Sequence, residues 1–241
     1  TKHQGQSIKA HDYDIDMKSP EMIYVYGDPH AQMITKKRKA GAPLWMFHAA
    51  NRGYVIFTVD GRGSGHRGLE FEQATFRNLG NVEMEDQLAG VDYLKTLPYV
   101  DSTKMAIHGW SYGGFMTTSM MLRQPGVFGV GVAGGPVIDW SLYEIMYTER
   151  YMDTPEENPE GFEKAKLNGY VENLQGDLLL IHGLDDDVVV PQHSYSLLES
   201  FVDAGVQVDF FIYPGHPHNV RGKDRIHLMT KVLDYIDLHL D

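Results

Sequence analysis

The chain has 241 residues, 42% hydrophobic and 22% charged, which is enough for one large domain with a substantial core. Its 21 Lys and Arg against 33 Asp and Glu give a net charge of −12, so a nucleic-acid backbone would be repelled and nucleic acid is disfavoured as a partner. The absence of cysteine excludes disulfides, thiolate metal sites and a cysteine nucleophile, and without an apolar run of about 18 residues this segment predicts no membrane span.

The first part of the chain alternates apolar runs with turns. Residues 1–20 are polar and predict an edge strand or a surface arm. The β-branched and aromatic run at 22–26 predicts a strand covered on both faces, and residues 54–59 repeat that pattern. A loop with G-x-G-x-x-G spacing follows at 63–68. A dinucleotide site would need a helix to begin on the third glycine, and residues 69–76 carry no clear helical stripe, so the sequence favours an ordinary glycine-rich loop.

The rest of the chain continues the alternation of strands and helices. Apolar residues at helical spacing between Met84 and Leu94 predict an amphipathic helix with Asn81 as its N-cap. Further strands are predicted at 105–108, 127–133, 178–182 and 208–213, and further helices at 115–124 and 226–240. This alternation favours an α/β fold with a mostly parallel central sheet and helices on both faces. Catalytic groups in such sheets lie at the carboxyl ends of the strands.

The motif G-W-S-Y-G at residues 109–113 is the first candidate for chemistry. It stands between a predicted strand and a predicted helix, which is the setting of a nucleophile elbow. Its two glycines allow a tight turn that would hold Ser111 in a strained conformation, with Oγ projecting from the strand end. A motif this short is a weak signal by itself, and an ordinary strand-to-helix turn is the alternative.

Candidates for a base and its orienting carboxylate follow the serine along the chain. A serine hydroxyl needs a base to accept its proton and a carboxylate to orient that base. Three adjacent aspartates at 185–187 follow the strand that ends near His182, and His216 and His218 follow the strand that ends at Tyr213. The order serine, aspartate, histidine is that of α/β-hydrolases. The spacing does not choose among the aspartates or between the two histidines.

Capping and metal binding are alternative uses of these residues. The aspartates could cap the helix predicted near Pro191 or hold calcium, and we expect at least one of them to cap. His216 and His218 could bind zinc, but no third ligand is evident near them. His108 and His182 end buried strands and are interpreted as hydrogen-bonded core residues. The sequence therefore predicts no metal site, and serine chemistry needs no cofactor.

A row of aromatic residues interrupts the alternation between residues 139 and 159. Its members recur at three- and four-residue intervals, as on one face of a helix: Trp140, Tyr143, Tyr147 and Tyr151. Aromatic residues are mostly core residues, so the row by itself favours a packed helix stripe.

Five motifs occur together and in order: Y-V-Y-G-D-P from Tyr24, R-G-S-G from Arg62, G-W-S-Y-G-G from Gly109, Y-T-E-R-Y-M from Tyr147 and H-G-L-D-D from His182. Together they resemble the catalytic domain of the prolyl oligopeptidase family, in its dipeptidyl peptidase IV and prolyl tripeptidyl peptidase branch. The resemblance runs from about residue 22 to the C-terminus. It implies an α/β-hydrolase domain over residues 21–241, with residues 1–20 as an N-terminal arm or edge segment.

The resemblance assigns roles residue by residue. It implies that Ser111 is the nucleophile, Asp186 the orienting carboxylate and His218 the base. It also implies that the Tyr26 phenol and the backbone N–H of Tyr112 donate to the oxyanion, which stabilises the charge that develops on the attacked carbonyl.

The aromatic row takes a different interpretation from the resemblance. It implies a hydrophobic pocket for proline, S1, built from five residues: Val137, Trp140, Tyr143, Tyr147 and Val189. A flat pocket with aromatic walls suits a pyrrolidine ring, which has no N–H to satisfy. The implied function is a serine exopeptidase that forms an acyl-enzyme and releases Xaa-Pro dipeptides or Xaa-Xaa-Pro tripeptides. An acyl-aminoacyl peptidase or esterase on the same fold, and a non-catalytic interaction domain, are the alternatives.

Two positions depart from the family pattern. Asp28 stands where the family usually has a second glycine beside the oxyanion tyrosine, and this change is expected to alter that loop. Val188 stands where the dipeptidyl peptidases carry an asparagine that holds the substrate, which favours the tripeptidyl branch.

The resemblance also implies partners beyond the peptide substrate with proline at P1. The family carries a β-propeller before this domain, with acidic residues that clamp the substrate's free amino terminus. We therefore expect residues 1–241 alone to have weak or no peptidase activity. The family often forms homodimers through the terminal helix and the strand before it, and a bacterial member would lie in the periplasm or cell envelope.

Overall fold

Strands and helices alternate through residues 2–37 and 42–240, which the computed structural model describes. The strands are β1 (Gln4–Ile8), β2 (Ser19–Tyr24), β3 (Val55–Asp60), β4 (Val100–Trp110), β5 (Val130–Gly134), β6 (Asp177–Gly183) and β7 (Asp209–Tyr213). The α-helices are α1 (Leu44–Asn51), α2 (Leu69–Glu72), α3 (Asn81–Lys95), α4 (Tyr112–Arg123), α5 (Ile145–Met152), α6 (Pro159–Ala165), α7 (Gln192–Ala204) and α8 (Asp224–His239). Short 3₁₀ segments span Gln73–Thr75, Trp140–Leu142 and Leu167–Asn173. None of these helices combines the length and the hydropathy needed to cross a bilayer.

The strands form one seven-stranded sheet in the order β1-β3-β2-β4-β5-β6-β7 within the described ranges. Strand β1 pairs antiparallel with β3 at one edge, and every other pairing is parallel. The predicted α/β-hydrolase fold with a mostly parallel sheet is confirmed. Because β2 to β7 run in the same direction, the loops after β2, β4, β6 and β7 gather at one edge of the sheet.

The core has two layers, one on each face of the sheet. Successive side chains of a strand point to opposite faces, and β4 shows this directly: Met105 and Ile107 lie in one hydrophobic cluster, and Ala106 lies in the other. The first cluster contains the buried faces of α3, α4 and α7, and the second contains those of α1 and α8. The central strands are therefore buried on both sides, which is why their sequences are continuously apolar.

The N-cap of helix α3 lies one residue earlier than predicted. The N-cap is Gly80, with φ 84°, and Asn81 is the first helical residue. The Glu83 carboxylate accepts a hydrogen bond from Gly80 N at 2.9 Å and another from the Tyr112 hydroxyl. The prediction that Asn81 caps this helix is wrong, because Glu83 reaches back to the free N–H that a capping side chain would otherwise satisfy.

Two other local predictions also differ from the structure. A four-residue helix, α2, does follow the third glycine of the glycine-rich loop, although it buries none of its residues. In the terminal helix α8, Met229, Leu233 and Ile236 are buried as the pattern predicts, but Ile226 is 72% exposed. Ile226 lies in the first turn of α8, before the helix reaches the sheet-facing cluster that begins at Leu228.

Candidate active site

Ser111 lies in a strained turn between β4 and α4. Its φ of 62° and ψ of −119° lie outside the regions that non-glycine residues ordinarily adopt. A Cβ on Gly109 would lie 2.4 Å from Gly113 O, and a Cβ on Gly113 would lie 2.3 Å from Val25 O, so both positions require glycine. The Ser111 N–H donates to Gly134 O at 2.8 Å. The strained conformation is therefore fixed by close packing on both sides.

Asp186 and His218 form the acid–base pair at the same edge of the sheet. The His218 Nδ1 atom lies 2.7 Å from Asp186 Oδ2. The other carboxylate oxygen of Asp186 accepts the backbone N–H groups of Val188 and Val189, each at 2.9 Å. Because a carboxylate only accepts, Nδ1 carries the proton and Nε2 of His218 is left as a base.

A third residue, His182, supports the Asp186 carboxylate. The sequence predicts a buried core histidine at this position but not its contact with Asp186. His182 is fully buried and hydrogen-bonded, as predicted for a core histidine, through Nε2 to Val189 O at 2.7 Å and through Nδ1 to Ser194 Oγ at 2.8 Å. Its Nε2 also lies 3.4 Å from Asp186 Oδ2. Burial opposes ionisation of Asp186, but the hydrogen bonds from His182 and His218 outweigh burial and hold the pKa of Asp186 well below its usual range. Asp186 is therefore a buried, ionised carboxylate.

Trp110 connects the base to the nucleophile turn. Its indole Nε1 donates to the backbone oxygen of His218 at 2.8 Å. The His218 ring packs over Gly135, which is next to Gly134, the residue whose carbonyl accepts the Ser111 N–H. Within residues 2–37 and 42–240, no hydrogen bond joins Ser111 Oγ to His218 Nε2. Catalytic hydrogen bonds are often long in ligand-free sites and tighten when substrate binds.

The remaining aspartates and His216 take other positions. Asp185 and Asp187 are exposed, and His216 Nε2 pairs with Asp224 Oδ2 at 3.1 Å. Helix α7 begins at Gln192, and its N-cap Pro191 has no side-chain cap. The prediction that one of the three aspartates caps this helix is therefore wrong. Asp186 instead turns into the protein to accept the backbone N–H groups that follow it.

The two expected oxyanion donors follow neighbouring parallel strands, Tyr26 after β2 and Tyr112 after β4. Tyr112 is the first residue of α4, so its backbone N–H has no acceptor within the helix. Tyr26 follows β2, and burial together with the Asp28 carboxylate raises the pKa of its phenol. Asp28 also accepts the Tyr147 hydroxyl at 2.8 Å. The departure from glycine at position 28 therefore adds a carboxylate between two tyrosines of the site.

The aromatic residues predicted to line S1 do pack together, but they do not share one helix. Trp140 lies in a 3₁₀ turn, Tyr143 is extended, and only Tyr147 and Tyr151 lie on α5. The prediction of a single helical face is wrong because the backbone is extended at Tyr143 and Glu144.

Contacts between the rings nonetheless build one cluster. The Trp140 ring stacks on Tyr147 at 5.8 Å and meets Tyr143 edge-on at 5.6 Å. Val137 and Val189 are buried in the hydrophobic cluster that contains Trp140. All five predicted S1 residues thus lie in or against one apolar cluster, which also contains Tyr112, the residue after Ser111.

The glycine-rich loop supports the segment that carries Tyr26. The His30 N–H donates to Gly63 O at 2.8 Å, and the Gly65 N–H donates to Ala31 O at 3.3 Å. A Cβ on Gly65 would lie 2.7 Å from His30 O. Gly65 is therefore explained by close backbone packing against His30, and Gly63 by its φ of 96° and by the Thr75 side chain, 2.9 Å from where its Cβ would lie.

Comparisons with known proteins agree with this geometry. A sequence profile described as the prolyl oligopeptidase family matches residues 43–241. Dipeptidyl peptidase 8 of Mus musculus is 36% identical over 221 residues, which are 90% of this chain and 25% of the relative. A protein named probable dipeptidyl-aminopeptidase B, from Coccidioides posadasii, is 38% identical over 211 residues, which are 86% of this chain and 23% of the relative. The chain spans about a quarter of the length of these curated relatives.

Two solved structures share the fold over nearly the whole chain. One, from Bacteroides ovatus and assigned provisionally to dipeptidyl aminopeptidase IV, is 52% identical with a TM-score of 0.98 and is matched over 100% of this chain and 34% of that one. Porphyromonas gingivalis dipeptidyl peptidase 4 is 35% identical with a TM-score of 0.93, over 98% of this chain and 33% of that one. A match of this extent in both sequence and fold shows that the chain belongs to the prolyl oligopeptidase family.

Proposed function

We propose that this chain is the catalytic domain of a serine exopeptidase that cleaves after proline near the amino terminus of peptides. The observation that carries the proposal is the 2.7 Å contact between Asp186 and His218 beside the strained Ser111 turn. A buried ionised carboxylate, an imidazole with a free Nε2 and a half-buried serine at the carboxyl end of β4 are the groups that acyl transfer needs. Membership of a family whose relatives are named dipeptidyl peptidases supports the same activity.

The proton path follows from the tautomer of His218. His218 Nε2 accepts the Ser111 Oγ proton as Oγ attacks the scissile carbonyl, and Asp186 stabilises the imidazolium that forms. The imidazolium then donates that proton to the leaving amine, which leaves Ser111 acylated. Water then attacks the acyl carbon while His218 accepts a proton from it. His218 donates that proton to Ser111 Oγ as the bond to the serine breaks, which releases the peptide acid.

Charge on the tetrahedral intermediate falls near two donors. The Tyr112 N–H lies at the positive end of α4, and Tyr26 follows β2, the parallel neighbour of β4, at the same edge of the sheet. Removing one such donor typically lowers kcat about 100-fold to 1000-fold. The apolar cluster of Trp140, Tyr143 and Tyr147 takes the P1 side chain, and a proline ring fills it without an unsatisfied N–H.

The domain boundaries and the partners are part of the proposal. Residues 21–241 make the catalytic domain and residues 1–20 the edge segment, in which β1 pairs with β3. The relatives are about four times as long as this chain. An upstream β-propeller would clamp the substrate amino terminus and decide between dipeptide and tripeptide release, and a homodimer would form through α8 and β7.

Active-site labelling tests the chemistry. A fluorophosphonate probe applied to the folded full-length protein should label Ser111, and Ser111→Ala should remove the label while leaving the melting temperature within a few degrees. Failure of the folded wild-type protein to label would reject the serine mechanism.

Turnover by residues 1–241 alone tests the requirement for a further domain. We expect weak turnover at most, and high turnover would reject that requirement.

Substrate comparison tests the specificity. Amides of Gly-Pro and Ala-Ala-Pro should be cleaved with higher kcat/KM than an acetylated amino-acid amide or a simple ester. Preference for the acetylated amide would identify an acyl-aminoacyl peptidase, and preference for the ester would identify an esterase. Binding of peptides without Ser111-dependent turnover would identify a non-catalytic interaction domain.

A further inference from the structure

Asp28 is a carboxylate that the reaction outlined above does not use. It lies on the segment after β2, two residues beyond the expected oxyanion donor Tyr26. Its Oδ1 accepts the Tyr147 hydroxyl at 2.8 Å, and its carboxylate is near enough to the Tyr26 phenol to raise the pKa of that phenol. Asp28 therefore binds the tyrosine expected to form the S1 wall and lies beside the tyrosine expected to bind the oxyanion.

The segment around Asp28 is held in place by backbone contacts. The Ala31 N–H donates to Asp28 O at 2.9 Å, and the His30 N–H donates to Gly63 O at 2.8 Å. Pro29, between Asp28 and His30, is buried, and its ring fixes φ. The carboxylate is thus presented to the two phenols by a braced loop, and its contacts do not depend on a mobile segment.

The Tyr26 phenol has one proton and faces two acceptors during a catalytic cycle. In the free site the acceptor beside it is the Asp28 carboxylate, which raises the pKa of the phenol, and in the tetrahedral intermediate the oxyanion needs the same proton. An interaction present in the ground state and broken in the transition state lowers the rate. The contact of Asp28 with Tyr147 acts differently, because it fixes a pocket wall before and after substrate binds.

We propose that Asp28 is a positioning residue with two separable effects: it anchors the Tyr147 wall of S1, and it withholds the Tyr26 proton until the oxyanion forms. This inference rests on the proposed function for its kinetic consequences. Substrate affinity and turnover should therefore respond to Asp28 in opposite directions, which a residue that only stabilises the fold would not produce.

Kinetics of Asp28 and Tyr147 variants of the full-length protein separate the two effects. With a prolyl amide substrate, Asp28→Gly should raise KM about fivefold, the value of one lost hydrogen bond, and should raise kcat rather than lower it. Tyr147→Phe removes the same bond from its other end, so it should raise KM by a similar factor without raising kcat. The double variant should raise KM no further than either single variant.

Asp28→Asn and Asp187→Asn supply the matched controls. The amide oxygen of Asp28→Asn can still accept the Tyr147 hydroxyl, so KM should stay close to wild type while kcat rises. Asp187 is an exposed carboxylate near the same edge of the sheet, and Asp187→Asn should leave both constants unchanged. A fall in kcat for Asp28→Gly, or additive effects of Asp28→Gly and Tyr147→Phe on KM, would overturn the proposal.

A measurement without turnover keeps this inference apart from the proposed function. With ¹³C at the tyrosine Cζ positions, and the Tyr26 and Tyr147 signals assigned from Tyr26→Phe and Tyr147→Phe, both signals should move in Asp28→Asn and neither in Asp187→Asn. If wild-type protein shows no Ser111-dependent turnover, the proposed function fails, and the NMR signals still decide the contact. Signals that stay in place in Asp28→Asn refute it.

Discussion

Two buried carboxyl groups lie at opposite ends of the sheet, and their surroundings differ completely. Asp186, after β6, is 4% exposed and accepts hydrogen bonds from two backbone N–H groups and from His218. Glu21, near the start of β2, is fully buried, and neither of its carboxyl oxygens has a hydrogen-bond partner in the described part of the chain. The pKa of Asp186 is held well below its usual range, whereas burial raises the pKa of Glu21 to about 9 and outweighs the opposing charge of Lys9.

The difference shows that the donors around a carboxyl group decide its charge, and burial alone does not. Both groups suffer the desolvation that favours the neutral acid. Donors outweigh desolvation at Asp186, so the active site keeps a fixed negative charge at neutral pH. Glu21 has no such donors and is neutral there, which makes it a group whose ionisation opposes folding.

The largest expected effect is that of Asp186→Asn. An asparagine presents an amide N–H₂ or a neutral oxygen to His218 Nδ1, so the histidine loses both its tautomer and the stabilisation of its charged form. We expect kcat to fall about 10,000-fold with the fold retained. Steady-state kinetics measure this fall, with Asp187→Asn as the control variant. A fall in kcat of less than about tenfold would show that the Asp186 carboxylate is not needed.

Glu21→Gln should have the next largest effect, and it acts on stability. The unfolded chain ionises Glu21 near its usual pKa of 4.5, while the folded protein keeps the proton to about pH 9. The stability contributed by this group is therefore complete below pH 4.5 and is lost progressively as pH rises to about 9.

Glutamine keeps the shape of the side chain and removes this titration. The free energy of unfolding of Glu21→Gln should equal that of wild type near pH 4 and exceed it by about 3 kcal/mol at pH 7. Urea unfolding across this pH range checks the expectation, with the exposed Glu70→Gln as control. A difference that does not grow with pH would show that Glu21 ionises in the folded protein.

Substitutions of His182 sharpen the account of the donors at Asp186. Asparagine places its amide near the Nδ1 position and keeps the contact to Ser194, whereas glutamine reaches the Nε2 position, which faces Val189 O and Asp186. His182→Asn should lower kcat about tenfold, and His182→Gln should lower it less. Equal losses in the two variants would mean that the imidazole acts through packing alone.

Of these variants, Trp110→Phe should have the smallest effect on the Asp186–His218 pair. It removes the donor to the His218 backbone oxygen and keeps an aromatic ring against Gly134. The loss of one hydrogen bond predicts a fall in kcat of about fivefold with little change in KM. If kcat is unchanged, the contact with Asp186 is sufficient to place His218.

Much of the fold could be predicted because its signals are local. Continuous apolar runs mark strands buried on both faces, and the regular alternation with helices predicts a parallel sheet. The turn at Ser111 is also local, since close backbone approach at Gly109 and Gly113 admits only glycine. The predictions that were wrong, such as the Asn81 cap and the single aromatic helix, concerned places where a distant contact or a change of backbone direction decides the conformation.

The sequence by itself determined the sheet, the nucleophile turn and the order of the candidate acid and base. The spacing did not choose among the three aspartates, and apart from the family resemblance only the tertiary structure decides it, because Asp186 is held by two backbone N–H groups and by His218, 32 residues away in the chain. The same holds for Asp28, whose bond to Tyr147 spans 119 residues. Contacts of this kind leave no periodic trace in a sequence, since they depend on where the folded backbone brings two side chains together.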